Sequence, residues 1–178
     1  MREYIRSDTA GTSYFFTVVL QQRGTRWLTD HVPLLRESIR TVRTRRPFAI
    51  DAMVVLPDHL HAVWTLPVDD ADFSIRWKLI KRGFTRRLAQ ANLLDASTAQ
   101  RRGSDERSLW QRRYWEHQIR DHDDFARHVD YIHFNPVKHG FVARAADWPY
   151  SSIQRYVRQG LLPADWGMAE VAEGRYGE

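Results

Sequence analysis

The stretch from Phe48 to Leu66 constrains this chain most: two apolar, β-branched runs meet at Pro57-Asp58, and the second opens with His59-Leu60-His61. Proline followed by aspartate is turn chemistry, so residues 48–56 and 59–66 read as two strands of one hairpin. Along a strand the side-chain period is two, which puts both imidazoles on one face and Leu60 on the other. A rigid element presenting two neutral nitrogen donors is half of a divalent metal site, provided a third ligand arrives from elsewhere. Two polar side chains on a half-wet strand would read the same way, and the pair alone does not separate the two.

The rest of the chain supplies partners for that hairpin. Tyr14 to Leu20 is aromatic and β-branched and reads as a strand. Asp30 can cap a helix running to about Thr44. A basic amphipathic helix is expected from about Ser74 to Ala91, with Ile75, Leu79, Ile80, Phe84 and Leu88 turned inward. Residues 93–108 are small, polar and charged and read as a loop, and Trp115 to Arg120 reads as a fourth, edge-like strand. A last helix begins at Asp121 or Asp123. It should end near Asn135, because Pro136 disfavours helical geometry in the residue before it. The order β-α-β-β-α-β-α implies an α+β sandwich of the ferredoxin-like or RRM-like kind: a mainly antiparallel sheet with helices on one face. We divide the chain into one domain over residues 1–140 and a tail over 141–178 packed on that domain.

Composition narrows the chemistry. The 178 residues include no cysteine, which excludes disulfides, thiolate metal sites and a cysteine nucleophile. No P-loop is present. No apolar stretch approaches the roughly 20 residues that span a bilayer, and the N-terminus lacks a signal-peptide core, so a cytoplasmic protein without a membrane partner is expected. The net charge of +5 is unevenly spread: Arg76, Lys78, Lys81, Arg82, Arg86 and Arg87 form a basic run without an acid, whereas four acids fall between Asp165 and Glu178. Such segregation suits a polyanion, since Arg and Lys supply most sequence-independent affinity for phosphates, although a solvated helix face has the same composition. Trp77, Trp110 and Trp115 lie among or beside these cations and could stack bases or fill the core.

In the last helix, Phe125, Val129 and Ile132 form the apolar stripe, and Tyr131 lies roughly 120° from its centre. Tyr131 and Asn135, at i and i+4, share a face. A phenol so placed, one turn before an amide oxygen, can reach a metal held by a neighbouring strand. Because a free phenol ionises only near pH 10, attack at neutral pH requires help, which a cation neutralising a phosphate can give. A half-buried tyrosine hydrogen-bonded at an edge is the plainer alternative.

Three segments together carry a family likeness: His59-Leu60-His61, Trp115-Glu116-His117-Gln118-Ile119-Arg120, and the block from His128 to Gly140, HVDYIHFNPVKHG. They resemble the REP-associated tyrosine transposases, members of the HUH single-strand nucleases. The resemblance covers about Tyr14 to Trp166. It implies that His59 and His61 are metal ligands, that Asn135 is the third, and that Tyr131 is the nucleophile on a backbone phosphate of single-stranded DNA. The products are then a 5′-phosphotyrosine link and a free 3′-hydroxyl. It also implies Mg²⁺ or Mn²⁺ as cofactor and, as partner, single-stranded DNA carrying REP-type hairpins. Imidazoles are softer than the oxygens Mg²⁺ prefers, so Mn²⁺ should serve at least as well.

Other residues are read more plainly. Arg76, Lys78, Lys81, Arg82, Arg86 and Arg87 are candidates to grip a hairpin stem, and Lys138 a phosphate. His117 reads first as structural, and Asp58 as a turn residue rather than a support for the metal. A hairpin-binding protein with an idle cleft is the alternative function, and a replication initiator of the same superfamily is a third reading that the Tyr131 to Gly140 block disfavours. A monomer is expected, with a dimer open.

Overall fold

A computed structural model describes residues 11–94 and 109–168. Four strands form one sheet: β1 (Ser13–Val19), β2 (Ala49–Val55), β3 (His59–Thr65) and β4 (Trp115–Gln118), in the spatial order β2-β3-β1-β4. Every neighbouring pair is antiparallel. Between them run α1 (Trp27–Asp30), α2 (Val32–Arg45) and α3 (Phe73–Gln90), and after them α4 (His122–Lys138), a 3₁₀ turn (Ala145–Asp147) and α5 (Ile153–Arg158). The sheet is that of the ferredoxin-like α+β arrangement expected from the sequence, with the two central strands, β1 and β3, contributed by different halves of the motif.

The pleat sorts the side chains onto two faces. Phe16 and Val18 of β1 and Leu60, Ala62 and Trp64 of β3 point to one, where they join a core made with Leu35, Ile39 and Val42 of α2 and Trp77, Ile80, Phe84 and Leu88 of α3. Trp64 and Trp77 stack there with ring centroids 4.0 Å apart. Phe15, Val63, Ala52 and Val54 point the other way and join Phe125, Val129 and Ile132 of α4, together with Trp148, Ile153, Tyr156, Leu162 and Trp166 from the residues beyond it. Burial of each such side chain contributes about 2 kcal/mol and holds α4 flat on the sheet. The helices therefore divide between the two faces: one face receives α2 and α3, and the tyrosine helix lies on the other. This is why β3 is buried along its whole length.

Several local expectations are corrected. Asp30 ends α1, and His31 rather than Asp30 occupies the cap of α2. Asp72 caps α3 by accepting from the Ile75 N–H. Leu79 is among the exposed apolar residues of α3, while Trp77 takes the inward place. The helix α4 passes through Pro136 to Lys138. Pro136 forgoes one backbone bond without ending the helix, and the stop is made by another device: the Gly140 N–H donates to the Val137 carbonyl and the Phe141 N–H to the Pro136 carbonyl, with Gly140 at φ +70°. That pairing caps the last carbonyls and needs a left-handed residue, which glycine adopts without strain. Beyond it the chain is more regular than expected. It is stitched to the β2 margin by Ser152 N–H to the Met53 carbonyl, Val55 N–H to the Tyr150 carbonyl and the Trp148 indole N–H to the Val55 carbonyl. Most of the loop expected over residues 93–108 lies outside the described residues.

Candidate active site

Cross-strand register places the chemistry. His61 on β3 stands opposite Thr17 on β1, and Thr17 stands opposite Trp115 on β4, so these three side chains form one row across the sheet on the α4 face. The next row is Val63, Phe15 and His117, and His59 stands one pleat back opposite Val19. The helix α4 lies over these rows. Tyr131 and Asn135 of this helix and His139, its C-terminal cap residue, recur at i, i+4 and i+8 and form a stripe along the histidine strand. The Tyr131 ring lies 5.1 Å from that of His61, and the His139 ring 5.4 Å from that of His59. Asn135 sits between these two contacts.

Each histidine is oriented by a partner. His59 Nδ1 lies 2.7 Å from Asp58 Oδ1, and the other Asp58 oxygen accepts from the Gly24 N–H at 2.8 Å and pairs with Arg23 at 3.3 Å. Burial alone would raise the Asp58 pKa, but the hydrogen bonds from His59 and Gly24 and the Arg23 charge outweigh it and hold the carboxylate low. An ionised carboxylate only accepts, so Nδ1 of His59 carries the proton and Nε2 keeps its lone pair. Asp58 is therefore a support for His59 and more than a turn residue. His61 Nδ1 pairs with Thr17 Oγ1 at 2.8 Å. Burial, reinforced by the neighbouring His59 and His139, pushes the His61 pKa down to about 3, which keeps the ring neutral.

Two sets of atoms fit a cation. His61 Nε2 and both amide atoms of Asn135, Oδ1 and Nδ2, are buried without a hydrogen-bond partner. An unpaired buried acceptor costs about 1–3 kcal/mol, so lone pairs left in this state beside a free His59 Nε2 match the needs of a bound ion. The second set is His117, Asp124 and His128, whose ligand atoms lie within 4.8 Å of one another. Asp124 is already engaged by His117 Nε2 at 2.8 Å, by the Arg120 backbone N–H at 3.1 Å and by the Arg120 and Arg127 guanidiniums. Burial acts to raise its pKa, but these donors hold it well below the usual carboxylate range. A cation there would have to displace two guanidiniums, so the first set is the better fit.

Tyr131 is 36% exposed, the largest aromatic opening on α4, and borders a cleft of about 460 Å³ lined also by Phe15, Thr17, Trp115, Arg127 and His128. The Lys138 ammonium lies 5.6 Å from the Tyr131 ring centroid, and so the structure brings Lys138, Tyr131, Asn135, His59 and His61 together. It does not bring the basic run with them, because α3 packs on the opposite face of the sheet.

Within that run the cations have different fates. Arg76 is 1% exposed. Its guanidinium pairs with Asp70 at 2.6 and 3.0 Å and donates to the carbonyls of Arg46, Pro47 and Asp72. Lys81 is buried, with Nζ on the Gln111 carbonyl and against the Tyr114 and Trp110 rings. Neither is free to grip DNA: both are struts of the fold. Arg87 is tied to Thr41, the Gly83 carbonyl and Glu37, which leaves Lys78, Arg82 and Arg86 exposed. Sequence reasoning missed Thr17, Phe15 and Arg127 as site residues. The first two follow from register, which a single sequence does not state, and Arg127 from helical spacing to Tyr131.

Among the described residues no helix is long and apolar enough to cross a membrane. No family model matches the chain. It is 44% identical over 178 residues to a REP-associated tyrosine transposase of Escherichia coli K12, covering all of this chain and 98% of that one. It is 43% identical over 167 residues to a Haemophilus influenzae protein provisionally given the same name, with 94% of each covered. A solved structure described as the REP-associated tyrosine transposase bound to a REP hairpin superposes with a TM-score of 0.78 at 44% identity, over 100% of this chain and 98% of that one. Near-complete coverage at this identity, on the same fold, leaves one assignment: this chain belongs to the REP-associated tyrosine transposases, and is an enzyme of that family.

Proposed function

We propose that this enzyme cuts single-stranded DNA beside a hairpin, with Tyr131 as nucleophile. The single observation that carries the reading is the approach of an exposed phenol to within 5.1 Å, ring to ring, of a buried imidazole whose Nε2 has no partner. The Tyr131 oxygen forms a bond to the scissile phosphorus and the bond from phosphorus to the 3′ oxygen breaks. The phenol's proton is released and the departing 3′ oxygen gains one, giving a 5′-phosphotyrosine and a 3′-hydroxyl. Because one phosphodiester replaces another, the step is reversible by that hydroxyl.

His59 Nε2, His61 Nε2 and Asn135 Oδ1 would hold a divalent ion, Mg²⁺ or Mn²⁺, which when bound supplies charge neutralisation at the phosphate. The chain's own groups do the remaining work. Asp58 and Thr17 fix the two ring orientations, and with Nε2 turned to a metal, Nδ1 of His61 donates to Thr17 Oγ1. Lys138 stands beside the tyrosine ring as a phosphate contact, and Lys78, Arg82 and Arg86 are the cations left for the hairpin stem. The relative bound to a REP hairpin supports hairpin DNA as the partner. We infer one domain over residues 1–140, with residues 141–178 as a covering segment, acting as a monomer.

The test is incubation of labelled hairpin oligonucleotides with Mn²⁺ or Mg²⁺, followed by denaturing electrophoresis. A denaturant-resistant protein–DNA adduct is expected, absent in Tyr131→Phe and after chelation, while hairpin binding persists. An adduct that survives Tyr131→Phe overturns the assignment. Tight binding with no adduct under any metal favours a binding protein with an idle cleft.

A further inference from the structure

The cleft beside Tyr131 is not used by the chemistry just described, yet its lining is specialised. Trp115, on the short edge strand β4, is 54% exposed and stands at the end of the row that begins with His61. Two strand spacings separate them, about 10 Å, so the indole lies beside the nucleophile and away from the paired imidazoles. Phe15 forms the floor: its ring meets Trp115 edge-on at 5.5 Å, Tyr131 edge-on at 5.9 Å and His128 at 4.7 Å. His117 stacks under His128 at 4.8 Å and lies parallel to Trp115, with 4° between the planes.

The polar edge of the cleft is equally fixed. His128 Nδ1 lies 2.8 Å from the Asp124 backbone carbonyl, which can only accept. Nδ1 therefore carries the hydrogen and Nε2 is left as an acceptor. Asp124, 2% exposed, locks both His117 and His128 in place and draws Arg127 to the same rim. An aromatic floor, an open indole wall, one fixed acceptor and one guanidinium, in a space of about 460 Å³, make a site for a flat heteroaromatic ring bearing N–H donors next to an anion.

Resting on the nuclease reading above, we propose that this cleft seats one unpaired nucleobase next to the scissile phosphate, stacked on Trp115. The ring N–H or amino group of that base donates to His128 Nε2, and Arg127 meets the adjoining phosphate. A base drawn out of its stack and held this way fixes which phosphate faces Tyr131, so the pocket sets the position of the cut.

The test uses the full chain as Tyr131→Phe, with Mg²⁺, and a hairpin oligonucleotide in which 2-aminopurine replaces one single-stranded base at a time. Fluorescence should be quenched at one flanking position and restored when Trp115→Ala is added. An abasic residue at that position should weaken binding about tenfold, the low end of what base–aromatic stacking supplies, and by clearly less in the Trp115→Ala background, where only the bond to His128 is left to lose. Because Trp115 is half open to solvent, circular dichroism should show the variant folded. Quenching at no position, or quenching unchanged by Trp115→Ala, overturns the proposal. Quenching that appears normally while the unsubstituted enzyme forms no covalent adduct supports the base seat and overturns the nuclease reading instead.

Discussion

The two faces of the sheet differ in what their buried polar atoms can do. On the α2 and α3 face, Arg76 and Lys81 are buried with protein partners, and the atoms left unpartnered on Trp64, Trp77 and Trp110 are indole N–H donors, which cannot ligate a cation. On the α4 face, the unpartnered atoms of His61 and Asn135 include lone pairs aimed at no protein donor. Leu60 and His61 are adjacent in sequence and belong to opposite regimes, one to packing and the other to chemistry. One face meets its buried charges with protein partners, and the other leaves buried acceptors open.

Substitutions can break that contrast. The largest effect is expected on the α4 face: Tyr131→Phe or His61→Ala should lower adduct formation by at least about a thousandfold, read on denaturing gels, with little change in the urea midpoint for the former. On the opposite face the sign of interest is stability. Arg76→Ala should cost about 3 kcal/mol in urea unfolding, because it removes the buried guanidinium's bonds to the Arg46, Pro47 and Asp72 carbonyls and its ion pair with Asp70. An unchanged midpoint would mean the guanidinium is not a strut.

Smaller effects sharpen the comparison. Thr17→Val removes the hydroxyl on His61 Nδ1 while keeping the side chain's shape. It should weaken Mn²⁺ binding about tenfold by calorimetry without moving the unfolding midpoint. Acid should act through His133, fully buried on the α4 face against Ser152 Oγ at 2.9 Å. Burial pushes its pKa down to about 3 from an unfolded value near 6.5. In that window the unfolded chain binds the extra proton, so stability is present above pH 6.5 and falls as the pH drops toward 3. One such group contributes at most about 1.4 kcal/mol per pH unit. Urea midpoints at pH 7, 5.5 and 4.5 should show this slope, and His133→Gln should flatten it by one proton's worth. The smallest expected change is Lys78→Ala: within about 0.5 kcal/mol in stability, but with a shallower salt dependence of hairpin binding.

Periodicity made much of this legible. Alternation placed His59 and His61 on one face and Leu60 on the other, and helical spacing placed Tyr131 off the apolar stripe but within reach of a strand. The order of elements gave the sheet its class. What the sequence did not disclose depends on three-dimensional partners. The cations of α3 look alike in a charge count, yet Arg76 and Lys81 turn inward because Asp70 and the Gln111 carbonyl await them. Proline before the end of α4 suggested a stop at Asn135, but the Gly140 cap lies later and controls the boundary. Thr17 is invisible as a site residue until the β1 to β3 register sets it opposite His61.

The stitching of residues 148–152 to β2 has a consequence for how the molecule comes into being. Until that segment leaves the ribosome, the outer margin of the sheet presents unpaired backbone groups beside an uncovered apolar surface, the kind of edge to which other chains add. Synthesis therefore completes the strand hairpin bearing the imidazoles well before it seals the border next to it, and a chain arrested in that interval would be sticky before it was enzymatic.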